Sequence, residues 1–249
     1  MDLPTGLVTA LLRAKKLLVL TGAGMSAESG VPTFRDDLTG LWKKFRPEEL
    51  ATPEAFRDHP QTVWDWYTDR RRNINKVHPH AGHIALVEME QLFESILLVT
   101  QNVDGLHQRA GSSEVVELHG NIMASICSKT GKRIENSWIE SNPGRPPASP
   151  HHTQGLARPA VVWFGEQLPV GAMNRATRAA MECDACFSIG TSTLVQPAAS
   201  LPFVALNAGA IVIEINPNPT PLSSVANFSL QATAAEALST ITAELARCY

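Results

Sequence analysis

Three polar clusters, each at the end of an apolar run, hold most of the chemistry this chain can offer. The first is Leu20-Thr21-Gly22-Ala23-Gly24-Met25-Ser26-Ala27-Glu28, in which Gly22 and Gly24 can take positive φ and let the backbone approach a pyrophosphate closely. The small Ala27 leaves room for a following helix to pack near the sheet, so the segment reads as G-x-G-x-x-A, a weak signal alone. The second, Gln101-Asn102-Val103-Asp104-Gly105-Leu106-His107, follows the apolar residues 95–99 directly. Its amides and carboxylate suit ribose hydroxyls and a carboxamide, and Asn-x-Asp-Gly is equally an ordinary turn, so turn and site are compatible. The third is Glu117-Leu118-His119-Gly120-Asn121. In a crevice an imidazole titrates near neutrality, and His119 could serve as a general base or be a histidine satisfied by local hydrogen bonds. Polar clusters at the ends of three apolar strands describe one crevice.

The apolar pattern supplies the elements that must hold these clusters. Residues 5–14 place Leu7, Leu11 and Leu12 at helical spacing ahead of a strand at 16–20. Residues 81–93 read as an amphipathic helix, 95–99 as a strand and 115–118 as another. Helix 171–183, strand 186–189, helix 196–208, strand 210–215 and helix 234–248 continue the alternation. The expected fold is α/β, a Rossmann-like doubly wound parallel sheet with a small domain formed by two insertions. One insertion, 36–80, is aromatic and charged, with Trp42, Phe45, Trp64 and Trp66 and helical patterns broken at Pro47, Pro53 and Pro60. The other, 123–157, lapses into Pro, Ser, Asn, Gly and charge and is expected to be poorly structured. The large domain then comprises 1–35, 81–122 and 158–249.

Composition narrows the function. With 249 residues, 44% of them hydrophobic, the chain can bury a substantial core. A formal net charge of −3 gives no basic footprint, so no specific nucleic-acid partner is indicated. No signal-peptide layout opens the sequence, and its apolar run at 17–20 is far too short to cross a bilayer; a cytoplasmic location and no membrane partner are expected. Four scattered cysteines fit a reducing compartment. Cys183 and Cys186 form C-x-x-C but run straight into Phe187-Ser188-Ile189, so they read as small hydrophobes entering a buried strand.

The three clusters are followed in order by Arg158-Pro159-Ala160-Val161-Val162-Trp163-Phe164-Gly165-Glu166, Ile189-Gly190-Thr191-Ser192 and Ile215-Asn216. In this combination, with residues 20–35 ending in Pro32-Thr33-Phe34-Arg35, nearly the whole chain resembles the sirtuins, the NAD-consuming protein lysine deacylases. The resemblance implies NAD as co-substrate and acylated-lysine proteins or peptides as partners. It places His119 as general base and Asn102 beside it in catalysis. Gln101 and Asn102 would contact the nicotinamide ribose and Asp104 the nicotinamide amide. Gly22, Ala23, Gly24, Glu28, Phe34 and Arg35 would line the same pocket, Phe34 shielding the reactive ribose carbon and Arg35 near the phosphates. Gly190, Thr191, Ser192 and Asn216, with Ala234, would hold the rest of the cofactor at its adenosine half. A peptide would lie as an added strand beside Val162, Trp163, Phe164, Gly165 and Glu166. Two rival readings use the same residues: a mono-ADP-ribosyltransferase, and a non-catalytic NAD or ADP-ribose sensor, against which His119 and Asn102 speak. A dehydrogenase would want an acid about 20 residues beyond the glycines. Asp36 and Asp37 are nearer than that and follow Phe34-Arg35 in a loop.

Tyr67 and Arg70, three apart, would share one helical face and present a phenol and a guanidinium to a carboxylate on an acyl chain. Their spacing matches the Y-x-x-R of sirtuins that prefer succinyl and malonyl lysine. The family's zinc site departs here. Cys127 is followed by Thr130 where a second thiol belongs, and the later Cys pair is replaced by Pro150-His151-His152-Thr153. One thiol and two adjacent imidazoles make a poor tetrahedral set, so a structural zinc is expected to be absent, although Cys127, His151 and His152 leave a residual site open. His78, His80 and His83 read as helix-entry residues. Oligomeric state is not legible.

Overall fold

The computed structural model describes residues 1–32 and 47–248, so Phe34, Arg35, Asp36, Asp37, Trp42 and Phe45 lie outside the described residues. Helix α1 (Leu7–Arg13) turns Leu7 and Leu11 inward and leads into β1 (Lys16–Thr21), whose five buried residues explain its unbroken apolar run. A single turn, α2 (Gly24–Ala27), follows. After the undescribed segment come α3 (Pro47–Leu50), α4 (Pro53–Asp58) and α5 (Pro60–Ile74). Pro53 and Pro60 open α4 and α5 where a missing N–H costs nothing, and Thr52 caps α4 by accepting from the Ala55 amide.

Helix α6 (Ala81–Met89) begins on a capping box made by His80 and His83, which makes both histidines structural. Next are β2 (Ser95–Thr100), α7 (Leu106–Ala110), β3 (Val115–Glu117), β4 (Gly120–Cys127), β5 (Arg133–Ile134), α8 (Asn136–Ser141) and β6 (Ala157–Val161). The chain closes with α9 (Val170–Glu182), β7 (Ala185–Ile189), α10 (Leu201–Asn207), β8 (Ile211–Ile215), β9 (Phe228–Leu230) and α11 (Ala234–Ala246). At three residues, β9 is too short for an apolar pattern to reveal.

Among the described residues, β3-β2-β1-β7-β8-β9 form one six-stranded sheet, parallel throughout. The strand order reverses beside β1, which makes the fold doubly wound α/β. Side chains alternate across each strand: Leu17 and Val19 join one core with residues of α1, α6 and α11, while Leu18 and Leu20 join a second with α9 and α10. Cys186 is buried in that second core and Cys183 packs against it, as expected of small hydrophobes.

Register explains why distant motifs meet. Thr21 of β1 pairs with Thr100 of β2 and Ile189 of β7, Ile189 pairs with Ile215 of β8, and Thr100 pairs with Glu117 of β3. The residues that follow these strand ends, Gly22, Gln101, Gly190, Asn216 and Leu118-His119, therefore emerge at one level, at the switch point where α/β sheets bind ligands.

The second sheet, β5-β4-β6, is antiparallel. It occupies part of the stretch expected to be poorly structured, and β4 and β6 run through the expected boundaries at 122–123 and 157–158. The apolar pattern hid β4 because its pairing shifts register between Asn121 and Ser125 and breaks the alternation. Pro159 hid β6, yet β6 is an edge strand in which a missing N–H is tolerated. Phe56, Val63, Trp66, Tyr67, Ile122, Val161 and Trp163 form a separate apolar cluster beneath this sheet. Among the described residues no helix is long and apolar enough to cross a membrane.

Candidate active site

His119 leaves β3 and enters β4 through Gly120, which has φ 76° and whose Cβ, were there one, would collide with the Ala160 carbonyl oxygen. The His119 carbonyl accepts from the Val162 amide at 2.9 Å, so the backbone is held on both sides. Nδ1 lies 2.9 Å from the Gln101 carbonyl oxygen, an atom that can only accept. Nδ1 therefore carries the hydrogen and Nε2 keeps its lone pair. Partial burial pushes the His119 pKa below its ordinary value and the bond to Gln101 opposes that shift, leaving a neutral base at pH 7.

Asn102 is held just as firmly. Its amide nitrogen Nδ2 donates to the Gly22 carbonyl at 2.9 Å and to Ser26 Oγ at 3.1 Å, and its backbone N–H donates to Thr100 Oγ1 at 3.0 Å. Thr21 donates to the same Thr100 hydroxyl at 2.8 Å and stands 3.0 Å from His107 Nε2. Sequence reasoning passed over Thr21, Thr100, Ser26 and His107, all buried. A polar residue ending an apolar strand run, as at Thr21 and Thr100, is the signal that could have found two of them. Asp104 is buried, with Oδ1 accepting from the Leu106 amide at 2.9 Å in the turn over Gly105. Burial raises its pKa, against hydrogen bonds from Leu106 and Ser26 and the charges of Arg109 and Arg70.

The first glycine cluster works differently from expectation. Gly22 and Gly24 do not take positive φ; Gly190 does, at 59°. The two glycines are small because Gly190 crosses them: a Cβ on Gly22 would lie 2.8 Å from the Gly190 carbonyl oxygen, and one on Gly24 would lie 2.7 Å from Gly190 Cα. Gly24 donates to the Gly190 carbonyl at 2.8 Å. Gln101 Nε2 donates to Thr191 Oγ1 and Asn216 Nδ2 to the Thr191 carbonyl, both at 3.0 Å. Segments 22–26, 101–104, 190–193 and Asn216 are thus tied to one another, with Ala23 and Ser192 half-buried among them. Glu28 is exposed and accepts from the Ala235 amide at 2.9 Å, fastening the start of α11 beside the buried Ala234. Phe34 and Arg35 lie outside the described residues.

Between α5 and β6, Trp163 Nε1 donates to the Tyr67 hydroxyl at 3.0 Å. Burial lifts the Tyr67 pKa to about 12 and keeps the phenol neutral. The half-buried Arg70 guanidinium sits 4.9 Å from the centre of the Trp66 ring, and burial lowers its pKa. Val162 to Glu166, beside which a peptide is expected to add as a strand, follow the end of β6 at Val161 and turn at Phe164 and Gly165, with Gly165 at φ 87°. Glu166 is taken up by Arg158 at 2.6 and 2.9 Å and by the Trp163 amide at 2.9 Å, while Phe164 stays exposed.

At the far end of the small sheet Cys127 is buried, a setting that raises a thiol pKa. Hydrogen bonds from Ser149, Thr130 and the backbone of Lys129 and Thr130 outweigh that and bring it to about 7. His151 Nε2 lies 2.7 Å from the Arg133 carbonyl and His152 Nδ1 accepts from the Gln154 amide at 3.1 Å, so each ring is used locally. A donor set of one thiol among hydroxyls does not fit a structural zinc. Among the described residues no group of three or more metal-binding side chains occurs.

The sequence pattern of the Sir2 family matches residues 22–197. The chain is 50% identical over 224 residues to the NAD-dependent protein deacylase of Ralstonia nicotianae, covering 86% of each. The chain belongs to the Sir2 family. A crystal structure of a Sir2 homologue in complex with NAD superposes on this Sir2-family protein with a TM-score of 0.90 and 41% identity, over 99% of this chain and 95% of that one. A mutant Sir2 homologue in complex with 2′-O-acetyl-ADP-ribose matches with a TM-score of 0.88 and 41% identity, over 99% and 98%.

Proposed function

We propose that this Sir2-family protein is an NAD-dependent protein lysine deacylase that consumes NAD and releases nicotinamide, unmodified lysine and O-acyl-ADP-ribose. The observation that carries the reading is the His119–Gln101 bond, which leaves a neutral Nε2 base at the level where Gly22, Gln101, Gly190 and Asn216 converge. Bound there, NAD supplies a ribose carbon that the acyl oxygen of a modified lysine attacks as nicotinamide departs. Asn102, fixed through Nδ2, turns its remaining amide oxygen to the nicotinamide ribose beside Gln101, and Asp104 meets the carboxamide. His119 Nε2 then takes the proton of a ribose hydroxyl, whose oxygen bonds to the acyl carbon, and water completes release of the lysine amine. Gly22, Ala23, Gly24, Glu28, Phe34 and Arg35 belong to the phosphate and nicotinamide side, and Gly190, Thr191, Ser192, Asn216 and Ala234 to the adenosine side. The peptide backbone runs beside Val162 to Glu166. Tyr67 and Arg70 receive the acyl chain and favour succinyl and malonyl groups. The small domain built from 36–80 and 123–157, and a cytoplasmic location, belong to the same reading.

Mass spectrometry of acetyl, succinyl and malonyl peptides with and without NAD tests it. Loss of the acyl group only with NAD, together with O-acyl-ADP-ribose, is the expected result. ADP-ribose added to protein with the acyl group retained would point to a transferase instead, and no NAD-dependent product to a sensor.

Cys127 without a second thiol, and His151 and His152 with their ring nitrogens hydrogen-bonded locally, support a small sheet that folds without zinc. The purified protein is expected to hold well under one zinc per chain and to melt at the same temperature with and without a chelator. About one tightly bound zinc, with unfolding on its removal, would reverse this.

A further inference from the structure

Glu214 of β8 is buried in the sheet, and three hydroxyls meet its carboxylate. Its carboxylate accepts from Thr220, Ser223 and, at 2.9 Å, Ser229. Thr220 and Ser223 each donate to the acid while accepting a backbone N–H of their own loop: Leu222 to Thr220 Oγ1 at 3.1 Å and Thr220 to Ser223 Oγ at 2.8 Å. The carboxylate thereby dictates the shape of residues 220–223, since each hydroxyl has one hydrogen and must spend it on Glu214. A second observation joins this loop to another. Thr193 adopts φ 54°, a left-handed conformation costly for a β-branched residue, and its one hydroxyl hydrogen is shared between the Ser192 carbonyl at 2.8 Å and, as the longer branch of a three-centre bond, Thr220 Oγ1 at 3.3 Å. Such strain persists where the surroundings over-determine it.

We infer that Glu214 is a positioning residue for dinucleotide binding: through Thr220 and Thr193 it latches the loop after Asn216 to the loop Gly190-Thr191-Ser192. The inference rests on the reading that these two loops hold the adenosine half of NAD. Glu214 itself need not touch the ligand. Binding energy at the adenosine end depends on two loops that have no covalent reason to stay together, and preorganising them removes an ordering cost from every binding event.

Replacing Glu214 with glutamine keeps the shape but puts an NH2 group where one hydroxyl pair needs an acceptor. KM for NAD and the calorimetric Kd for ADP-ribose are expected to rise on the order of tenfold, with peptide KM unchanged and kcat within about twofold. Thr220→Val, which cuts the link to Thr193, should give the same pattern, whereas Ser229→Ala, which removes a hydroxyl on β9, should not. Ser188, paired with Glu214 across β7 and β8 and buried with no hydrogen-bond partner, provides a control: Ser188→Ala should leave both constants alone. Equal effects of Thr220→Val and Ser229→Ala, or none from Thr220→Val in a folded protein, would overturn the latch even if Glu214→Gln fails to fold. Failure of the adenosine reading looks different: the wild-type protein itself would not bind ADP-ribose.

Discussion

Alanine at position 119 is expected to lower kcat by on the order of 10²–10⁴-fold, the range a positioned general base supplies, while the Kd for NAD stays close to that of the wild type. The division follows from geometry. Nδ1 is spent on the Gln101 carbonyl and Nε2 is the nitrogen proposed to move a proton, so truncation should remove proton transfer and leave the pocket's other hydrogen bonds standing. The wild-type pH profile should carry the same signature. A base must be unprotonated to act, and burial sets the His119 pKa below its ordinary value, so kcat/KM is expected to hold level through pH 7 and to fall only below pH 6.5. A folded His119→Ala protein that still deacylates peptide at the wild-type rate, or an acid limb above pH 6.5, would take His119 out of the mechanism.

The double replacement Tyr67→Phe and Arg70→Met is expected to depress kcat/KM for succinyl peptide tenfold or more, on the order of one charge-assisted hydrogen bond, while acetyl turnover changes far less. A carboxylate leaving water must find donors, or its burial is costly. The Tyr67 oxygen accepts from Trp163, which leaves its own hydrogen to be donated, and its raised pKa keeps that hydrogen in place. Arg70 remains cationic at neutral pH, and its seat over Trp66 keeps the guanidinium on the same helical face. Methionine retains length and apolar packing on Trp66, so the melting temperature should change little. Acetyl and succinyl rates falling together would make the pair structural, and a wild type indifferent to succinyl peptide would dispose of the acidic-acyl preference.

Local chemistry made much of this protein legible in its sequence. The apolar runs at 16–20, 95–99, 186–189 and 210–215 could be read as buried parallel strands because a strand covered on both faces must be apolar throughout. His119, Asn102 and the glycines stood out for the same reason, being polar or bare where an apolar strand ends. Other features were settled only when distant segments met. Gly22 and Gly24 owe their identity to Gly190, more than 160 positions away, and nothing in residues 20–30 announces that crossing. The antiparallel sheet was hidden because a register shift in β4 and a proline in β6 erase the period-two pattern that a regular strand displays. Thr21, Thr100 and His107 became one hydrogen-bond chain through the registry of β1 with β2, and Glu214 became the centre of three hydroxyls through the folding back of 220–229. Side-chain periodicity is a property of one segment and survives in the sequence. Hydrogen-bond partnership and close backbone approach belong to pairs of segments, so only the tertiary structure decides them.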